Sequence, residues 1–469
     1  MGQRKLIACA MWWLSCGSNS GTKPPLGGDL GSVDDLGVST DSSVSPDQAP
    51  DLSGPPAPAY DIHAADRTAC TFGAGDGTLK TVGPSVPHGD QLPFKHIIVF
   101  MKENRSFDSY FSELPAYGVT DVDVPSPTAS NPDPSNNNMA VQRFHETRYC
   151  VADTSHAWDA VHIQYDNGMM DGFVKASNPG GARAMGYYTN ADLPYYYWLA
   201  KTFTISDRYF SSLLGPTFAN RFFFYGASSW GATTTPAIPP GGVTKILDLL
   251  DHAHRSWRIY HDGLVSFGLT FGIQYAGSPI SQFATDVQND KLADLTIIDP
   301  NFIGTGQNDE HSPTNIQFGE AATAKVIAAL AANQAVWQKS VLFLTYDEHG
   351  GLYDHVPPPA ACIADDKKPP NFMFDRLGIR VPLIVISPYA KAGFVGHTVA
   401  DHTSLTRFIE NRFDLPAMTH RDANAWPMLD LFDFDHPPFM NFPSGAPSAA
   451  ASQPGLDWCK NNPPGTGKP

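Results

Sequence analysis

Two short segments place acidic and amide side chains directly after runs of apolar residues. Glu103 and Asn104 follow one such run, and Asp347 and Glu348 follow another. Three carboxylates and an amide oxygen are hard oxygen ligands that suit a divalent cation. Three negative charges held close together would repel one another unless a cation lay between them. Taken alone, Glu103 could instead pair with Arg105, and Asp347 could cap a helix.

A hydroxyl with the local setting of a nucleophile lies at Thr217. Gly215 and Pro216 interrupt the chain just before it, and the residues after it favour a helix. A hydroxyl at the start of a helix meets backbone N–H groups and the positive end of the helix dipole, which favour phosphate. Coordination to a metal would lower the pKa of this hydroxyl and make it nucleophilic. The alternative is that Thr217 only caps the helix.

Two histidines fit the same chemistry. His156 lies in the segment Ser-His-Ala-Trp, and His311 lies in the segment Asn-Asp-Glu-His-Ser-Pro. Either side chain could donate to phosphate oxygens or protonate a leaving alkoxide. The chain has 16 histidines, so either residue could equally be structural.

Short apolar runs alternate with helical patterns through the middle of the chain. The sequence predicts strands at 96–101, 256–260, 297–299, 341–346 and 381–386, and helices at 243–254, after Pro216 and at 320–338. This alternation is typical of an α/β fold with a central, mostly parallel sheet and helices on both faces. Ligand sites in such sheets lie beyond the carboxyl ends of the strands. The acidic segments fall at that edge.

Composition excludes some classes of protein. The chain has 31 Lys and Arg against 47 Asp and Glu, which gives a net charge of −16. This balance argues against a partner such as nucleic acid, but a phosphate site is still possible because a bound cation can dominate the local field. The GxxxxGK[ST] motif of P-loop enzymes and the C/S-x-P-x-R motif are both missing from the sequence.

The two ends of the chain differ from its middle. Residues 1–16 resemble an export signal that ends in a lipobox, so we expect a lipidated Cys16 or ordinary signal cleavage nearby. Residues 17–58 are predicted to be a flexible linker, 59–442 the catalytic domain, and 443–469 a Pro/Gly-rich tail. We therefore expect an exported protein, either a cell-envelope lipoprotein or secreted. No apolar run is long enough to predict a transmembrane helix.

Four further cysteines suggest two disulfides in an exported chain. They are Cys70, Cys150, Cys362 and Cys459. Three pairings are possible, and the sequence does not choose among them. Because none of the four has CxxC spacing, a zinc–thiolate site is not expected.

Six segments, taken together and in order, resemble the bacterial phosphoesterase family that contains phospholipases C and one class of acid phosphatases. They are HIIVFMKENRSFDSYF at 96–111, GPTFANR at 215–221, NDEHSP at 308–313, YDEHGGLYDHV at 346–356, RVPLIVISP at 380–388 and DHTS at 401–404. The resemblance spans about residues 95–412. It implies an alkaline-phosphatase-like fold, with a central α/β sheet and one catalytic metal region.

The resemblance also implies roles for individual residues. The metal ligands would be Glu103, Asn104, Thr217, Asp347 and Glu348, with Thr217 also the nucleophile. Three residues would hold the phosphoryl oxygens or assist the leaving group: Asn220, His156 and His311. Residues that would surround the site are His349, His355, Asp401 and His402. A further candidate for the phosphate pocket is His261, although its segment matches the family pattern poorly. The cofactor would be a divalent metal ion whose identity the sequence does not reveal.

The implied function is a metal-dependent phosphoric ester hydrolase, of the phospholipase C type, that forms a phospho-threonine intermediate. Its substrate would be a phosphate ester, with phospholipid as the expected class. An acid phosphatase of the same family is the alternative. The short region after the last motif favours the phosphatase, whereas Thr rather than Ser at position 217 favours the phospholipase. A non-catalytic surface lipoprotein that binds ligands is a more remote alternative, because the full set of expected site residues is intact.

Overall fold

The computed structural model describes residues 61–365, 374–462 and 464. The predicted signal segment 1–16, with Cys16, and the predicted linker 17–58 lie outside the described residues.

The elements alternate along the chain as the sequence predicts. The strands are β1 (His96–Lys102), β2 (Ser130–Asp133), β3 (Met139–Gln142), β4 (Phe144–His145), β5 (Gly186–Tyr187), β6 (Thr204–Ser206), β7 (Tyr209–Phe210), β8 (Trp257–His261), β9 (Ser278–Pro279), β10 (Leu295–Asp299), β11 (Ser340–Tyr346), β12 (Leu383–Ile386), β13 (Phe394–Gly396) and β14 (Ala400–Asp401). The α-helices are Ala64–Thr68, Thr78–Thr81, Phe107–Phe111, Leu114–Tyr117, Trp158–Tyr165, Phe173–Ala176, Pro194–Thr202, Thr217–Gly226, Ile246–His252, Ile280–Gln288, Ile316–Ala331, Gln334–Trp337, His402–Phe413, His420–Ala423 and Gln453–Asn461.

Eight of these strands form one central sheet in the order β13-β6-β12-β11-β1-β10-β8-β9. Strand β1 lies between β11 and β10 and is parallel to both. Strand β12 is the exception, because it pairs antiparallel with both β11 and β6. The mostly parallel sheet that the sequence predicts is therefore confirmed. All residues of β1 and β11 are buried, as expected for strands covered on both faces.

Helices pack against both faces of this sheet. Phe343, in β11, contacts Phe408 of the helix His402–Phe413, with ring centroids 4.9 Å apart. Lys102, at the end of β1, donates from Nζ to the backbone O of Gly319 at 2.7 Å, within the helix Ile316–Ala331. Lys102 is in register with Tyr346, three residues beyond Phe343. Because successive side chains of a strand alternate between faces, the two helices lie on opposite sides of the sheet.

The predicted helix 320–338 is wrong in its bounds and in its continuity. Two helices occupy the region, beginning at Ile316 and at Gln334. Each begins after an asparagine, Asn315 or Asn333, whose side chain accepts a hydrogen bond from the helix backbone. Asparagine is a strong helix N-cap, so these two residues set the boundaries where apolar periodicity alone does not.

Two disulfides tie distant parts of the chain together. They join Cys70 to Cys362 and Cys150 to Cys459, and their Cα atoms lie 5.6 and 5.7 Å apart. The prediction of two disulfides is confirmed, and the second one anchors the tail. Such bonds are typical of proteins that fold outside a reducing cytosol. Within the described ranges, every helix is too short or too polar to cross a membrane.

We expect removal of the Cys70–Cys362 disulfide, by replacing both cysteines with serine, to lower the stability by about 2–5 kcal/mol, because the bond closes a very long loop. The loss should be similar for the Cys150–Cys459 pair, because the two bonds close loops of 292 and 309 residues. Thermal unfolding of both double variants measures the two losses. An unchanged stability in either double variant would contradict the expectation.

Candidate active site

The two acidic segments meet where adjacent strands end. Lys102 of β1 is in register with Tyr346 of β11, so the residues that follow lie side by side. The backbone N–H of Asp347 donates to the O of Lys102 at 3.0 Å, and that of Arg105 donates to the O of Glu348 at 3.0 Å. The structure thus brings Glu103 and Asn104 together with Asp347 and Glu348. Glu103 does not pair with Arg105, and its nearest cation is Arg221.

Backbone geometry lets the two loops approach closely. Asn104 has a φ of 62° and Gly350 has a φ of 65°, in the left-handed region. A Cβ placed on Gly350 would lie 2.6 Å from the Cβ of Asn104, so only glycine fits between the loops. The pair Gly350–Gly351 therefore has a positional role beside the acidic residues.

Two oxygens of this cluster have no hydrogen-bond donor among the described residues. They are Asn104 Oδ1 and Glu348 Oε1, and both are buried. The other oxygen of Glu348, Oε2, accepts from the backbone N–H of Gly350 at 2.8 Å. A buried oxygen without a donor costs about 1–3 kcal/mol, whereas a divalent cation would satisfy both oxygens. The donor set therefore fits a cation that prefers oxygen ligands.

Burial makes the cluster hard to ionise without a cation. Burial and the neighbouring negative charges raise the pKa of Asp347 to about 7 and that of Glu348 to about 8. Burial also raises the pKa of Glu103, although Arg221 opposes the shift. Raised carboxyl pKa values in one cluster are typical of sites that bind cations or transfer protons.

Thr217 is the first residue of the helix Thr217–Gly226, and its side chain is buried. The residue in the capping position is Pro216, and no side-chain capping bond forms there. The alternative that Thr217 caps the helix is therefore wrong. Arg221 follows one turn later on the same helical face and contacts Asp347 beyond the end of β11.

Asn220 fixes the loop in front of this helix. Its Oδ1 accepts from the backbone N–H groups of Ser212 and Leu213 at 2.9 and 3.0 Å. Its Nδ2 donates to the O of Gly215 at 2.8 Å. These contacts hold the segment that leads into Thr217. The predicted role of Asn220 in binding phosphoryl oxygens stays a prediction.

His156 and His311 lie next to each other, with ring centroids 5.4 Å apart. The Nδ1 atom of His156 lies 2.7 Å from the O of Thr154, and that of His311 lies 2.6 Å from the O of Ser312. A carbonyl oxygen can only accept, so each Nδ1 carries the proton and each Nε2 is left for other partners. The Nε2 of His156 lies 3.5 Å from Nδ2 of Asn104, which places the pair beside the acidic cluster.

The two histidines have opposite charge tendencies. Burial alone would lower the pKa of His156, but Asp153 and Glu348 raise it to about 9. Burial lowers the pKa of His311. Ligand atoms of Asp153, His156 and His311 all lie within 4.8 Å of one another, close enough to share a cation.

Sequence reasoning missed three residues of the site. Asp153 lies beside His156, Arg221 lies among the carboxylates, and Asp299 ends β10. Asp299 could have been found from the sequence, because it directly follows an apolar run, as Asp347 does. Asp153 lies only three residues before His156 and could have been found by its spacing from that histidine. Arg221 had no local signal, since its partners Glu103, Asp299 and Asp347 are distant in the sequence.

The remaining histidines and acids named from the resemblance fall into three groups. His402 lies 2.7 Å from the backbone O of Asp347, and His349 lies 2.8 Å from Oε1 of Gln164, so both support the acidic segment. Asp401 caps the helix His402–Phe413. His355 belongs to a separate cluster with Asp108 and Asp123, and His261 lies 2.7 Å from the O of Gly263.

We expect the metal-free protein to lose stability as the pH rises from about 6.5 to 9. Asp347, Glu348 and His156 have pKa values of about 7, 8 and 9, above the ordinary values of 3.8, 4.5 and 6.5. The folded state therefore holds protons that the unfolded state has lost, and this stabilisation disappears as the pH rises through the folded values. A saturating divalent cation should reduce the loss.

Thermal melts at several pH values, with and without cation, measure this dependence. Glu348→Gln cannot ionise and should show a smaller decrease than the parent chain. A melting temperature of the metal-free protein that is constant or rises over this range would contradict the expectation.

Comparison with known proteins identifies the family. The sequence profile of the phosphoesterase family matches residues 94–276 and 269–416. Phospholipase C B of Mycobacterium tuberculosis (strain ATCC 25618 / H37Rv) is 30% identical over 472 residues, covering 85% of this chain and 89% of that protein. Non-specific phospholipase C6 of Arabidopsis thaliana is 30% identical over 411 residues, covering 77% and 76%.

Similarity to solved structures is much lower. The lipoteichoic acid synthase LtaP from Listeria monocytogenes has a TM-score of 0.39 at 10% identity, covering 77% of this chain and 81% of that chain. A protein in the alkaline phosphatase superfamily from Vibrio parahaemolyticus has a TM-score of 0.32 at 11% identity, covering 66% and 77%. These folds do not superpose closely enough for their sites to be compared. On the profile match and the sequence identities, this chain belongs to the phosphoesterase family, as its motifs predict.

Proposed function

We propose that this chain is a metal-dependent phosphoric ester hydrolase of the phospholipase C type, with Thr217 as its nucleophile. Membership of the phosphoesterase family and relatives named phospholipase C support hydrolysis of phosphoric esters. The observation that carries the mechanism is a pair of buried oxygens, Asn104 Oδ1 and Glu348 Oε1, for which the described residues supply no donor. The helix that begins at Thr217 contacts the same cluster through Arg221.

Five residues would hold the divalent cation. They are Glu103, Asn104, Thr217, Asp347 and Glu348. The cation would supply Lewis acidity, which polarises a phosphoryl oxygen and lowers the pKa of a coordinated hydroxyl. The oxygen-rich set is compatible with several divalent ions.

Thr217, with its hydroxyl pKa lowered, would release its proton to solvent and attack phosphorus as the alkoxide, in line with the departing alcohol, and it would leave again as the alkoxide when water attacks. Its position at the start of the helix Thr217–Gly226 would bring the bound phosphate to the positive end of the helix dipole. Asn220 holds the loop that precedes Thr217, which would keep the start of the helix in place during the reaction. A water molecule then hydrolyses the phospho-threonine, which divides one difficult step into two easier ones.

The histidine pair would divide the proton transfers between the two steps. His156, whose pKa is about 9, is protonated at neutral pH and can donate a proton from Nε2 to the departing alkoxide. His311, whose pKa is lowered by burial, is neutral and can accept a proton from the attacking water. The backbone contacts at both Nδ1 atoms fix the orientation of the rings.

The proposed substrate is a phospholipid, because the relatives are named phospholipases C. A phosphomonoester is the alternative substrate, since it would use the same site residues and differ only in the alcohol pocket.

The proposed location is outside the cytosol, and the two disulfides support it. Lipidation at Cys16 would attach the chain to a membrane, and the linker 17–58 would separate the catalytic domain 59–442 from the surface. The segment 443–469 would form the tail that Cys459 anchors.

Thr217→Ala should reduce kcat by at least about 10³-fold, because the nucleophile is lost while a buried alanine keeps the fold. Thr217→Ser retains a hydroxyl and should keep measurable turnover. Brief acid quenching with a radiolabelled diester should trap the phospho-enzyme in the parent chain and not in Thr217→Ala. Turnover of the alanine variant at the parental rate would refute the nucleophile assignment.

Glu348→Gln should weaken binding of the cation by about 10–100-fold, because an ionised ligand becomes a neutral amide. Calorimetric titration with Mn²⁺, Zn²⁺ and Ca²⁺ in turn measures the affinity. Asp365→Asn, which changes an acid outside the cluster, is the matched control and should keep the parental affinity. Parental affinity in Glu348→Gln would refute the ligand role.

The choice of substrate is tested with p-nitrophenyl phosphorylcholine and p-nitrophenyl phosphate, each with and without chelator. Faster, chelator-sensitive release from the choline diester is the expected result. Preference for the monoester would assign the chain to the acid phosphatases instead. Activity that a chelator leaves unchanged on both compounds would contradict the role of a metal.

A further inference from the structure

The positively charged guanidinium of Arg221 lies among the carboxylates of the site. The Nε atom of Arg221 lies 2.8 Å from Oδ2 of Asp347. Its Nη2 lies 3.5 Å from Oε1 of Glu103, and its Nη1 lies 3.6 Å from Oδ1 of Asp299. These acids stand at the ends of β11, β1 and β10, which are neighbours in the sheet. One guanidinium therefore bridges three strand ends.

The position of Arg221 is tightly determined. The side chain is 1% exposed, and its Nη2 also donates to the backbone O of Lys102 at 3.1 Å. Phe302 and Phe267 lie on the guanidinium, with centroids 4.9 and 5.4 Å from Cζ. A guanidinium is always charged and has no lone pair, so it neutralises carboxylates but cannot bind a metal.

The acids around Arg221 divide into two groups. Asp347 and Glu103 are also ligands of the cation in the proposed mechanism. Asp299 is not one of those ligands: its Oδ1 faces Arg221, and its Oδ2 accepts from the backbone N–H of Phe267 at 2.8 Å. Metal sites with two ions have this pattern, because acids shared between the ions hold them about 3.5–4 Å apart while others bind one ion only. Arg221 contacts carboxylates of both groups, Asp347 and Glu103 on one side and Asp299 on the other.

We propose that Arg221 takes the place of a second divalent cation, which Asp299, Asp347 and Glu103 would otherwise hold. This inference rests on the proposed function for the first cation, but it concerns only the charge on the other side of Asp347. The guanidinium compensates the negative charge of three buried acids, and unlike a metal ion it cannot dissociate from the site. It also limits this part of the site to one exchangeable metal.

Replacing Arg221 by a small neutral residue should create the second cation site. Arg221→Ser opens a space lined by three acids, and the uncompensated charges should attract a divalent ion. After incubation with Mn²⁺ and desalting, Arg221→Ser should retain about one equivalent more than the parent chain, measured by elemental analysis. The double variant Arg221→Ser/Asp299→Asn lacks one of the three acids and should return to the parental number.

Arg407→Ser is the matched control. Arg407 is also fully buried in a helix and pairs with Glu410 at 2.9 Å, but it does not contact the site. Its loss should destabilise the fold without adding a bound ion. A gain of Mn²⁺ in Arg407→Ser as large as in Arg221→Ser would overturn the proposal, because the gain would then follow from damage alone.

A second variant covers the case in which Arg221→Ser folds poorly. Arg221→Gln is neutral but still fills part of the space, so saturating Mn²⁺ should raise its melting temperature more than that of the parent chain. An unchanged metal content in folded Arg221→Ser, or an equal temperature shift in Arg221→Gln, would overturn the proposal.

The result for Arg221→Ser can be distinguished from the result that tests the proposed function. A parent chain that binds Mn²⁺ and loses it in Glu348→Gln supports the first cation whatever Arg221→Ser does. A parent chain without bound Mn²⁺, together with one retained equivalent in Arg221→Ser, would support the role of Arg221 and contradict the mechanism.

Discussion

Burial of several carboxylates at one edge of the sheet is the constraint on which the site depends. Asp299, Asp347 and Glu348 are all buried, and the pKa of each is raised, first of all by burial. An unpaired buried carboxylate would destabilise the fold by several kcal/mol. The structure offsets this cost with backbone N–H donors and with the guanidinium of Arg221. In the part of the chain that the structure describes, Asn104 Oδ1 and Glu348 Oε1 of this cluster have no donor, and the proposed divalent cation would bind both.

The strand pair β1 and β11 provides the rigid base for this arrangement. Below the site, Lys102 pairs with Glu310 at 2.9 Å. The hydroxyl of Tyr346 donates to the same carboxylate at 2.8 Å, and those of Tyr110 and Tyr196 donate to it as well. A buried ion pair is stable when its remaining hydrogen-bond capacity is satisfied, as it is here. The ends of both strands are thereby fixed before any ligand binds.

Much of this site could be predicted because its signals are local. Glu103 and Asp347 directly follow apolar strands, and parallel strands end at one edge, so their proximity follows from sequence pattern and topology. Thr217 could be predicted as a candidate nucleophile because the sequence predicts a helix that begins after Pro216. Arg221 was not, because its three partners lie on separate strands and only the folded sheet brings them together.

In the fold as well, features with a local sequence signal could be predicted and features without one could not. The positions of strands and helices follow from hydrophobic periodicity, and the predicted strands are close to the observed ones. The break between Ala331 and Gln334 was missed because a capping asparagine outweighs an otherwise continuous helical pattern. The pairing of Cys150 with Cys459 depends on where the tail lies in three dimensions, which the spacing of cysteines does not specify.

The helix Thr217–Gly226 joins two requirements of the chemistry in one rigid element. It begins at Thr217, the proposed nucleophile, and one turn later Arg221 contacts Asp347, a proposed metal ligand. A shift of this helix would therefore move both proposed site residues together. Because a single helical turn rather than a loop separates Thr217 from Arg221, the proposed in-line attack would start from a relative position that is set before substrate binds.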